Sequence, residues 1–172
     1  ELSLQLRCNE REIGTWLMRT KGESDYVAAA DVALTIHATD WLVREITYYL
    51  KRTLKRLDLS ARSIFAFIEP GSCFTGTLLE LAFAADRSYM LKGAFEGDNR
   101  APATIRLTEA NFGPYSMSNG LTRMETRFID DTDALDQAKS AMGKTLEALS
   151  AEELGLVTFA PDEIAWEDAT RI

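Results

Sequence analysis

The stretch PGSCFTGTLLELAFAAD, residues Pro70–Asp86, determines the predicted fold. It opens with turn-forming and small polar residues and then becomes apolar, with one acid, Glu80, inside the apolar run. The preceding residues, Ser63–Gly71, are rich in apolar and aromatic side chains up to a Pro-Gly turn, which predicts a strand. A helix that follows a strand through a small-residue turn directs its first N–H groups outward, where they can bind an anion.

Glu80 has two interpretations that exclude each other. Thr77-Leu78-Leu79-Glu80 has the form T-x-x-E of a capping box, in which the Glu80 carboxylate accepts the N–H of Thr77. Alternatively, the first N–H groups of the helix hold a thioester oxygen as it becomes an enolate, and Glu80 moves protons nearby. A Thr77 N–H that is bonded to Glu80 is not free for a thioester oxygen.

Composition limits the classes of function. The chain has 172 residues, enough for one domain, and 19 basic against 27 acidic residues give a net charge of −8. This balance argues against a nucleic-acid partner. Cys8 and Cys73 lack metal-ligand spacing and imply no disulfide framework, so we expect a reducing cytoplasm. We see neither a membrane span nor a signal peptide, and the start at Glu1 predicts a fragment of a longer chain.

One helix is predicted with particular clarity, over Asp40–Leu59, where Thr39 or Asp40 can cap its start. A single apolar stripe at spacings of three or four is formed by Leu42, Ile46, Tyr49, Leu50, Leu54 and Leu57. Its cations lie mostly off this stripe, and a solvated face explains them better than a phosphate site does; they are Arg44, Lys51, Arg52, Lys55 and Arg56.

Strands and helices are predicted to alternate along the rest of the chain, which indicates an α/β protein. The predicted strands are Ile13–Thr20, Ser63–Gly71, Arg87–Leu91, the start of Thr104–Gly113, and Gly155–Pro161. Helices are predicted at Thr77–Asp86 and Leu135–Leu149, a loop and short helix at Val27–His37, and an exposed loop at Lys92–Ala103.

Four motifs in the correct order resemble the crotonase, or enoyl-CoA hydratase, superfamily. Gly76–Asp86 is similar to the pattern G-G-G-x-E-L-A-x-x-x-D of that family, with one of the three glycines kept. Val27–Asp31 resembles its F-x-x-G-A-D motif, Thr108–Gly113 its P-E-x-x-x-G motif, and Ala151–Val157 its A-x-x-x-G-L-V motif. The resemblance extends from about Ile13 to Thr158.

The resemblance implies a single crotonase-like domain over residues 1–172, an α/β spiral of ββα units (the ClpP/crotonase fold) truncated at its N-terminal turn. The first strand and helix of such a unit are expected to be absent, or only partly present in ELSLQLRC, and the helical tail that usually covers the site is expected to be missing. The sequence from Glu69 to Leu91 is most similar to one branch of the superfamily, whose members carry two crotonase-like units in one chain. This chain resembles the later unit, in which the glycine triplet is degraded.

The resemblance also implies a function for the parent protein. Members of that branch are carbon–carbon lyases that hydrolytically open the ring of 2,3-epoxybenzoyl-CoA, the dihydrodiol form, with release of formate during aerobic benzoate breakdown. An ordinary enoyl-CoA hydratase or isomerase is the alternative. No metal or redox cofactor is implied, because CoA arrives as part of the acyl-CoA substrate. The implied partner is the upstream unit of the same chain, and a homo-oligomer is left open.

Two hypotheses describe what this unit does. In the catalytic one, the N–H groups of Ala30 and Thr77 form the oxyanion hole and Glu80 and Glu109 handle protons and water. In the structural one, which we favour, the unit has lost chemistry and packs against the catalytic unit or forms a dimer contact. Leu78, at a glycine of the family pattern, and Leu79 beside it add bulk at the turn.

Three single residues complete the sequence-based predictions. Cys73 precedes the oxyanion turn and is a candidate to line the pocket, although we favour a small buried apolar residue as its interpretation. His37, the only histidine, is predicted to have a surface or capping role, because no carboxylate or nucleophile lies at a telling spacing. For Glu109, the alternative to a catalytic role is that of a surface acid at the end of a strand.

Overall fold

The computed structural model describes residues 2–171, except for the side chains at positions 2, 3 and 7. Helices and strands follow one another in the order α1 (Leu2–Asn9), β1 (Thr15–Met18), α2 (Ser24–Ile36), α3 (Trp41–Asp58), β2 (Ser63–Ile68), α4 (Gly76–Phe83), β3 (Arg87–Met90), β4 (Thr104–Arg106), a 3₁₀ helix (Glu109–Phe112), α5 (Arg123–Arg127), α6 (Thr132–Ser140), β5 (Thr145–Glu147), α7 (Ala148–Glu153) and α8 (Glu163–Ala169). The predicted alternation of strands and helices is therefore observed.

The central strand is β2, in a parallel sheet of order β1-β2-β3. Thr15 lies opposite Ser63 in the first pair, and Phe65 lies opposite Arg87 in the second. β2 is covered on both faces, as is typical of parallel strands, and its residues Ile64, Ala66, Phe67 and Ile68 are each at most 2% exposed. β2 contributes side chains to each of the three hydrophobic clusters, so the whole fold is organised around it.

A second, antiparallel pair of strands fixes the region that faces the end of β2. Thr104 of β4 lies opposite Glu147 of β5. An isolated parallel bridge between Thr75 and Arg106 places β4 beside the turn that joins β2 to α4. The segment that follows β4 is thereby held next to the N-terminus of α4.

The predicted helix over Asp40–Leu59 is confirmed as α3. The Asp40 side chain caps it by accepting hydrogen bonds from the N–H groups of Leu42 at 2.8 Å and Val43 at 3.3 Å. Its apolar stripe is only half covered. Leu54 and Leu57 are buried, whereas Leu42, Ile46 and Tyr49 are 52%, 42% and 52% exposed.

The predicted loop and short helix over Val27–His37 is wrong, because α2 is one continuous helix over Ser24–Ile36. The stretch contains neither Gly nor Pro, and its alanines favour a helix throughout. His37 is the exposed C-cap residue of α2, as predicted.

Two predictions near the C-terminus are also wrong. The helix predicted over Leu135–Leu149 is divided, because Gly143 adopts a φ of 79° and donates its N–H to the Leu107 carbonyl at 2.9 Å, which starts the approach to β5. Gly155–Pro161 forms no strand beyond one bridge between Phe159 and Tyr89. At the other end of the chain, where the first strand and helix were expected to be at most partly present, the described residues of ELSLQLRC lie in α1.

The remaining helices are short or amphipathic. Over residues 2–171, no helix combines the length and the apolar character that crossing a membrane requires.

We expect Leu79→Ala to lower the free energy of unfolding by about 2–5 kcal/mol, because Leu79 is fully buried in the main cluster and its removal leaves a cavity. The matched control is Leu149→Ala in α7, where the side chain is 47% exposed and the loss should stay within about 1 kcal/mol. Urea unfolding of both variants measures the difference, and equal losses would contradict the position of α4 against the sheet.

Candidate functional site

The site predicted from the motifs lies where the N-terminus of α4 meets the middle of α2. α4 begins at Gly76, whose φ of 46° falls in the left-handed region. A Cβ atom at this position would overlap Asp31 Oδ2 and lie 2.5 Å from Thr108 Oγ1. Glycine is therefore required here twice over, for its backbone angle and for the close approach of Asp31. This is the one glycine of the family triplet that the chain keeps.

Asp31 occupies the space in front of the first turn of α4. Its Oδ2 accepts hydrogen bonds from the Thr77 N–H at 2.9 Å and the Thr108 hydroxyl at 3.1 Å. Its Oδ1 accepts the Thr77 hydroxyl at 2.5 Å. The residue is only 6% exposed. These donors, together with the positive end of the α4 dipole, stabilise a carboxylate that burial alone would destabilise.

The structure brings Ala30 and Thr77 onto neighbouring elements, but it leaves neither N–H open to a thioester oxygen. The Thr77 N–H is bonded to Asp31. Ala30 lies in the middle of α2, where a peptide N–H donates to the carbonyl four residues earlier. The continuous α2 helix, which the sequence analysis did not predict, is the reason that the Ala30 N–H is committed.

The capping box between Thr77 and Glu80 does not form. The N-cap residue of α4 is Thr75, without a side-chain hydrogen bond to the helix. Both donors of Thr77, its N–H and its hydroxyl, go to Asp31. Asp31 thus takes the place that the capping box assigned to Glu80.

Glu80 points into the protein rather than into a cavity. It is 1% exposed, with Oε1 accepting from Asn111 Nδ2 at 2.7 Å and Oε2 accepting from Arg123 Nη1 at 2.8 Å. Burial raises the pKa of Glu80 above its ordinary value, although the Asn111 hydrogen bond and the Arg123 charge act against this rise. A carboxylate enclosed in this way has no path for proton exchange with a bound substrate.

Arg123 holds two buried carboxylates at once. Its guanidinium donates from Nη2 to Asp58 Oδ2 at 2.6 Å and from Nε to Asp58 Oδ1 at 3.0 Å, in the bidentate manner that suits arginine. Nη1 donates to Glu80 and, at 3.2 Å, to the Tyr115 carbonyl. The Asp58–Arg123–Glu80 cluster therefore ties the end of α3 to α4 through α5.

Asn111 links this cluster to the 3₁₀ helix that carries Glu109. Its Nδ2 donates to the Gly76 carbonyl at 2.9 Å as well as to Glu80, and its Oδ1 accepts the Thr108 N–H at 3.0 Å. Glu109, by contrast, is exposed at the start of the 3₁₀ helix. Glu80 and Glu109 thus do not face a common space.

Two adjoining grooves lie beside Asp31. The larger, of about 420 Å³, runs between α2 and the segment Arg106–Ala110, and the smaller, of about 260 Å³, runs between α2 and Tyr115. Asp31 and Glu109 border both. Burial raises the pKa of Tyr115, whose hydroxyl lies 3.0 Å from the Thr77 hydroxyl. Beside these two carboxylates and the apolar side chains, the larger groove is lined by Arg106 and Thr108 and the smaller one by Tyr115.

Cys73 borders neither of these two grooves. It is 4% exposed, its N–H donates to Thr20 Oγ1 at 3.0 Å, and its sulfur faces Gly22. This environment is that of a small buried thiol. Over residues 2–171, no three His, Cys, Asp or Glu side chains group so that they could hold a metal ion.

The sequence analysis did not identify several residues that the structure brings to the site. Asp31 was visible as the last residue of the F-x-x-G-A-D match, but its role was not. Thr108 and Asn111 lie within the quoted Thr108–Gly113 motif, whereas Arg123 and Asp58 carry no local signal, because they are 65 residues apart in the chain.

Comparison with known proteins agrees with the resemblance that the motifs indicate. A benzoyl-CoA-dihydrodiol lyase of Aromatoleum evansii is 44% identical over 169 residues, which are 98% of this chain and 30% of the lyase. A solved enoyl-CoA hydratase/isomerase of Cupriavidus metallidurans has a TM-score of 0.62 at 15% identity, with 99% of this chain and 58% of that chain covered. An enoyl-CoA hydratase of Bacillus halodurans gives 0.61 at 15% identity, with 99% and 65% covered.

The chain has the crotonase fold. This confirms the predicted fold class, and the 44% identity confirms the resemblance to benzoyl-CoA-dihydrodiol lyase. The chain spans 30% of the length of that curated relative. No family model matches the chain.

We expect Gly76→Ala to destabilise the chain by at least about 3 kcal/mol, because an added Cβ must displace Asp31 as well as strain the backbone. Gly93→Ala is the matched control. Gly93 also has a positive φ, of 86°, but a Cβ there meets nothing within 4 Å, so the loss should be only about 1 kcal/mol. Equal losses in denaturant unfolding would show that Asp31 does not press against α4.

We expect Arg123→Met to lower the free energy of unfolding by about 3–5 kcal/mol, because two buried carboxylates lose their shared cation. Lys139→Met is the control, since its pair with Asp136 is exposed and should contribute less than about 0.5 kcal/mol. A loss below about 1 kcal/mol for Arg123→Met would contradict the buried cluster.

Proposed function

We propose that this chain is a non-catalytic, crotonase-like unit of a lyase that hydrolytically opens the ring of 2,3-epoxybenzoyl-CoA, the dihydrodiol form, to 3,4-dehydroadipyl-CoA semialdehyde and formate. The lyase relative supports the reaction class, because it is 44% identical, whereas the hydratase structures at 15% identity support only the fold. The greater length of that relative supports a further crotonase-like unit upstream in the same parent chain. In that parent, this unit packs against the catalytic one.

The observation that carries the proposal is the hydrogen bond from the Thr77 N–H to Asp31. An oxyanion hole needs unoccupied donors aimed at the position where negative charge develops. Here a carboxylate already holds that position and brings its own negative charge, which would repel an enolate oxygen. The degraded glycine triplet and the occupied Thr77 N–H therefore both argue against an oxyanion hole in this unit.

Glu80 and Glu109, the two acids of the family motifs, lie in different environments. Glu80 is committed to Arg123 and Asn111, and Glu109 is alone at the groove edge. Proton transfer and water activation on one substrate require acids that reach the same reacting atoms. Separate environments favour a structural role for Glu80 and leave Glu109 without its predicted partner.

The other parts of the proposal follow from the parent reaction. CoA enters as part of the acyl-CoA substrate of the catalytic unit, so that the proposal calls for no resident cofactor in this chain. A cytoplasmic location remains a prediction from the two unpaired cysteines, one exposed and one buried.

The test uses the longer lyase that contains this unit, with turnover of the epoxide as the readout. Glu109→Gln should leave kcat within about twofold, because Glu109 handles no proton in the proposal. Ala28→Trp fills the larger groove and should also leave kcat unchanged, with Ala29→Trp, on an exposed residue that does not border the groove, as the control for tolerance of the bulky side chain.

A loss of about 100-fold or more in kcat for Glu109→Gln, or for Ala28→Trp but not Ala29→Trp, would establish the catalytic hypothesis instead. Calorimetric titration of the 172-residue chain with benzoyl-CoA provides an independent readout. The proposal predicts no binding tighter than about 1 mM.

A further inference from the structure

A polar cleft of about 430 Å³ lies where the loop before α2 meets the turn between β2 and α4. Gly22 and Gly71 border it, and the Gly22 N–H donates to the Gly71 carbonyl at 3.2 Å, which holds the loop and the turn together. The strands β4 and β5 form another side of the cleft, through Thr104, Arg106 and Thr145. Four separate parts of the chain therefore meet around this space.

The strand register places three polar side chains of β4 and β5 on one face. Arg106 lies directly opposite Thr145, and Thr104 precedes Arg106 by two residues. Alternate residues of a strand project from the same face, and directly opposite residues of an antiparallel pair share a face. Ile105 between them is 1% exposed and belongs to the main hydrophobic cluster. The polar side chains therefore lie on the face turned away from the core.

The charge of Arg106 is only partly compensated by the protein. Its Nη2 donates to Asp25 Oδ1 at 2.7 Å, but the Asp25 side chain is 90% exposed. Its Nε is buried without a partner, and within residues 2–171 its Nη1 makes no hydrogen bond. A guanidinium has five N–H donors, so that most of the hydrogen-bonding capacity of Arg106 is unused.

Arg100 brings a second guanidinium to the same cleft. Its Nε and Nη2 donate to the Asp98 carboxylate at 2.6–3.0 Å, which leaves Nη1 without a partner in the described part of the chain. This Nη1 lies 3.0 Å from the position that a Cβ atom of Gly71 would occupy. Both arginines thus keep an Nη1 group for a ligand in the cleft.

We propose that this cleft binds a phosphate group. The hydroxyls of Ser24, Thr104 and Thr145 border it and have no hydrogen-bond partner among the described residues, so they join the Nη1 groups of Arg100 and Arg106 as donors. These donors come from the start of α2, the loop before β4, β4 and β5. Donors that approach from several directions suit a tetrahedral oxyanion better than a planar carboxylate, and arginine is a preferred donor to phosphate.

Two carboxylates at the edge of the cleft limit its affinity for an anion. Asp25 is paired with Arg106, and Glu23 is exposed and makes no side-chain hydrogen bond to α2. Because two cations face two carboxylates, we expect inorganic phosphate to bind with a dissociation constant of about 1–5 mM. Such weak binding is compatible with the limit of about 1 mM given above for benzoyl-CoA, which also carries phosphates.

This inference goes beyond the proposed function and does not depend on it, because the cleft borders neither Asp31 nor Thr77. An NMR titration of the 172-residue chain with sodium phosphate, at constant ionic strength, should shift the amide resonances of Ser24, Gly71 and Thr145. Sodium chloride is the control for unspecific effects of an anion. Ribose 5-phosphate distinguishes the source of the group: binding as weak as that of inorganic phosphate indicates free phosphate, and binding at least about threefold tighter indicates the phosphate of a larger molecule.

Three variants test which side chains hold the phosphate. Arg100→Gln should raise the dissociation constant at least about fivefold, and its 56% exposed side chain makes loss of the fold no explanation. Arg44→Gln makes the same change of charge on an exposed residue of α3 outside the cleft and should have less than about a twofold effect. Glu23→Gln should lower the dissociation constant about twofold to threefold, because it removes a repelling charge from the edge of the cleft.

The proposal is overturned if neither phosphate compound shifts the resonances of the cleft, or if chloride shifts them equally. It is also overturned if Arg100→Gln binds phosphate no more weakly than Arg44→Gln does, or if Glu23→Gln weakens binding. The titration contains no thioester and measures no turnover, so that failure of the phosphate site and failure of the proposed function are distinguishable.

Discussion

The hydrogen bonds that Asp31 accepts from Thr77 and Thr108 are the constraint on which the site depends. They join three separate parts of the chain, namely the middle of α2, the first turn of α4 and the residue before the 3₁₀ helix. They require glycine at position 76, because any side chain there would collide with the carboxylate. The same bonds that hold α2 against α4 occupy the Thr77 N–H, which the sequence analysis predicted as a donor of the oxyanion hole.

The Asp58–Arg123–Glu80 cluster is a second place where buried carboxylates hold helices together. A carboxylate at the position of Glu80 would be suited to proton transfer if it faced a cavity. Here it is enclosed by Arg123 and Asn111, and the buried pair resists being broken because either partner alone would be an uncompensated charge. Asp31 and Glu80, which lie in two of the motifs, thus each connect neighbouring helices.

Much of the fold could be predicted from local sequence. The apolar stretch of β2 and the Pro-Gly turn predicted the central strand, and the resemblance of the ordered motifs to a known family implied the crotonase-like architecture. Thr39 or Asp40 was expected to cap α3, and Asp40 does so. The same local signals were misleading where tertiary contacts decided the structure. The T-x-x-E pattern predicted a capping box at Thr77, but a carboxylate 46 residues earlier in the chain binds Thr77 instead. The partners of Glu80 lie 31 and 43 residues away, and no sequence periodicity reports them.

The central claim, that the Asp31 carboxylate occupies the position of the oxyanion, is tested most directly by the Thr77 amide proton. In an NMR experiment on the 172-residue chain, this proton should resonate downfield and exchange slowly with solvent. Its resonance should move upfield in Asp31→Ala. Addition of benzoyl-CoA to the unsubstituted chain should leave its chemical shift unchanged. A Thr77 amide that exchanges rapidly, ignores the loss of Asp31, or shifts on titration with benzoyl-CoA would contradict the claim.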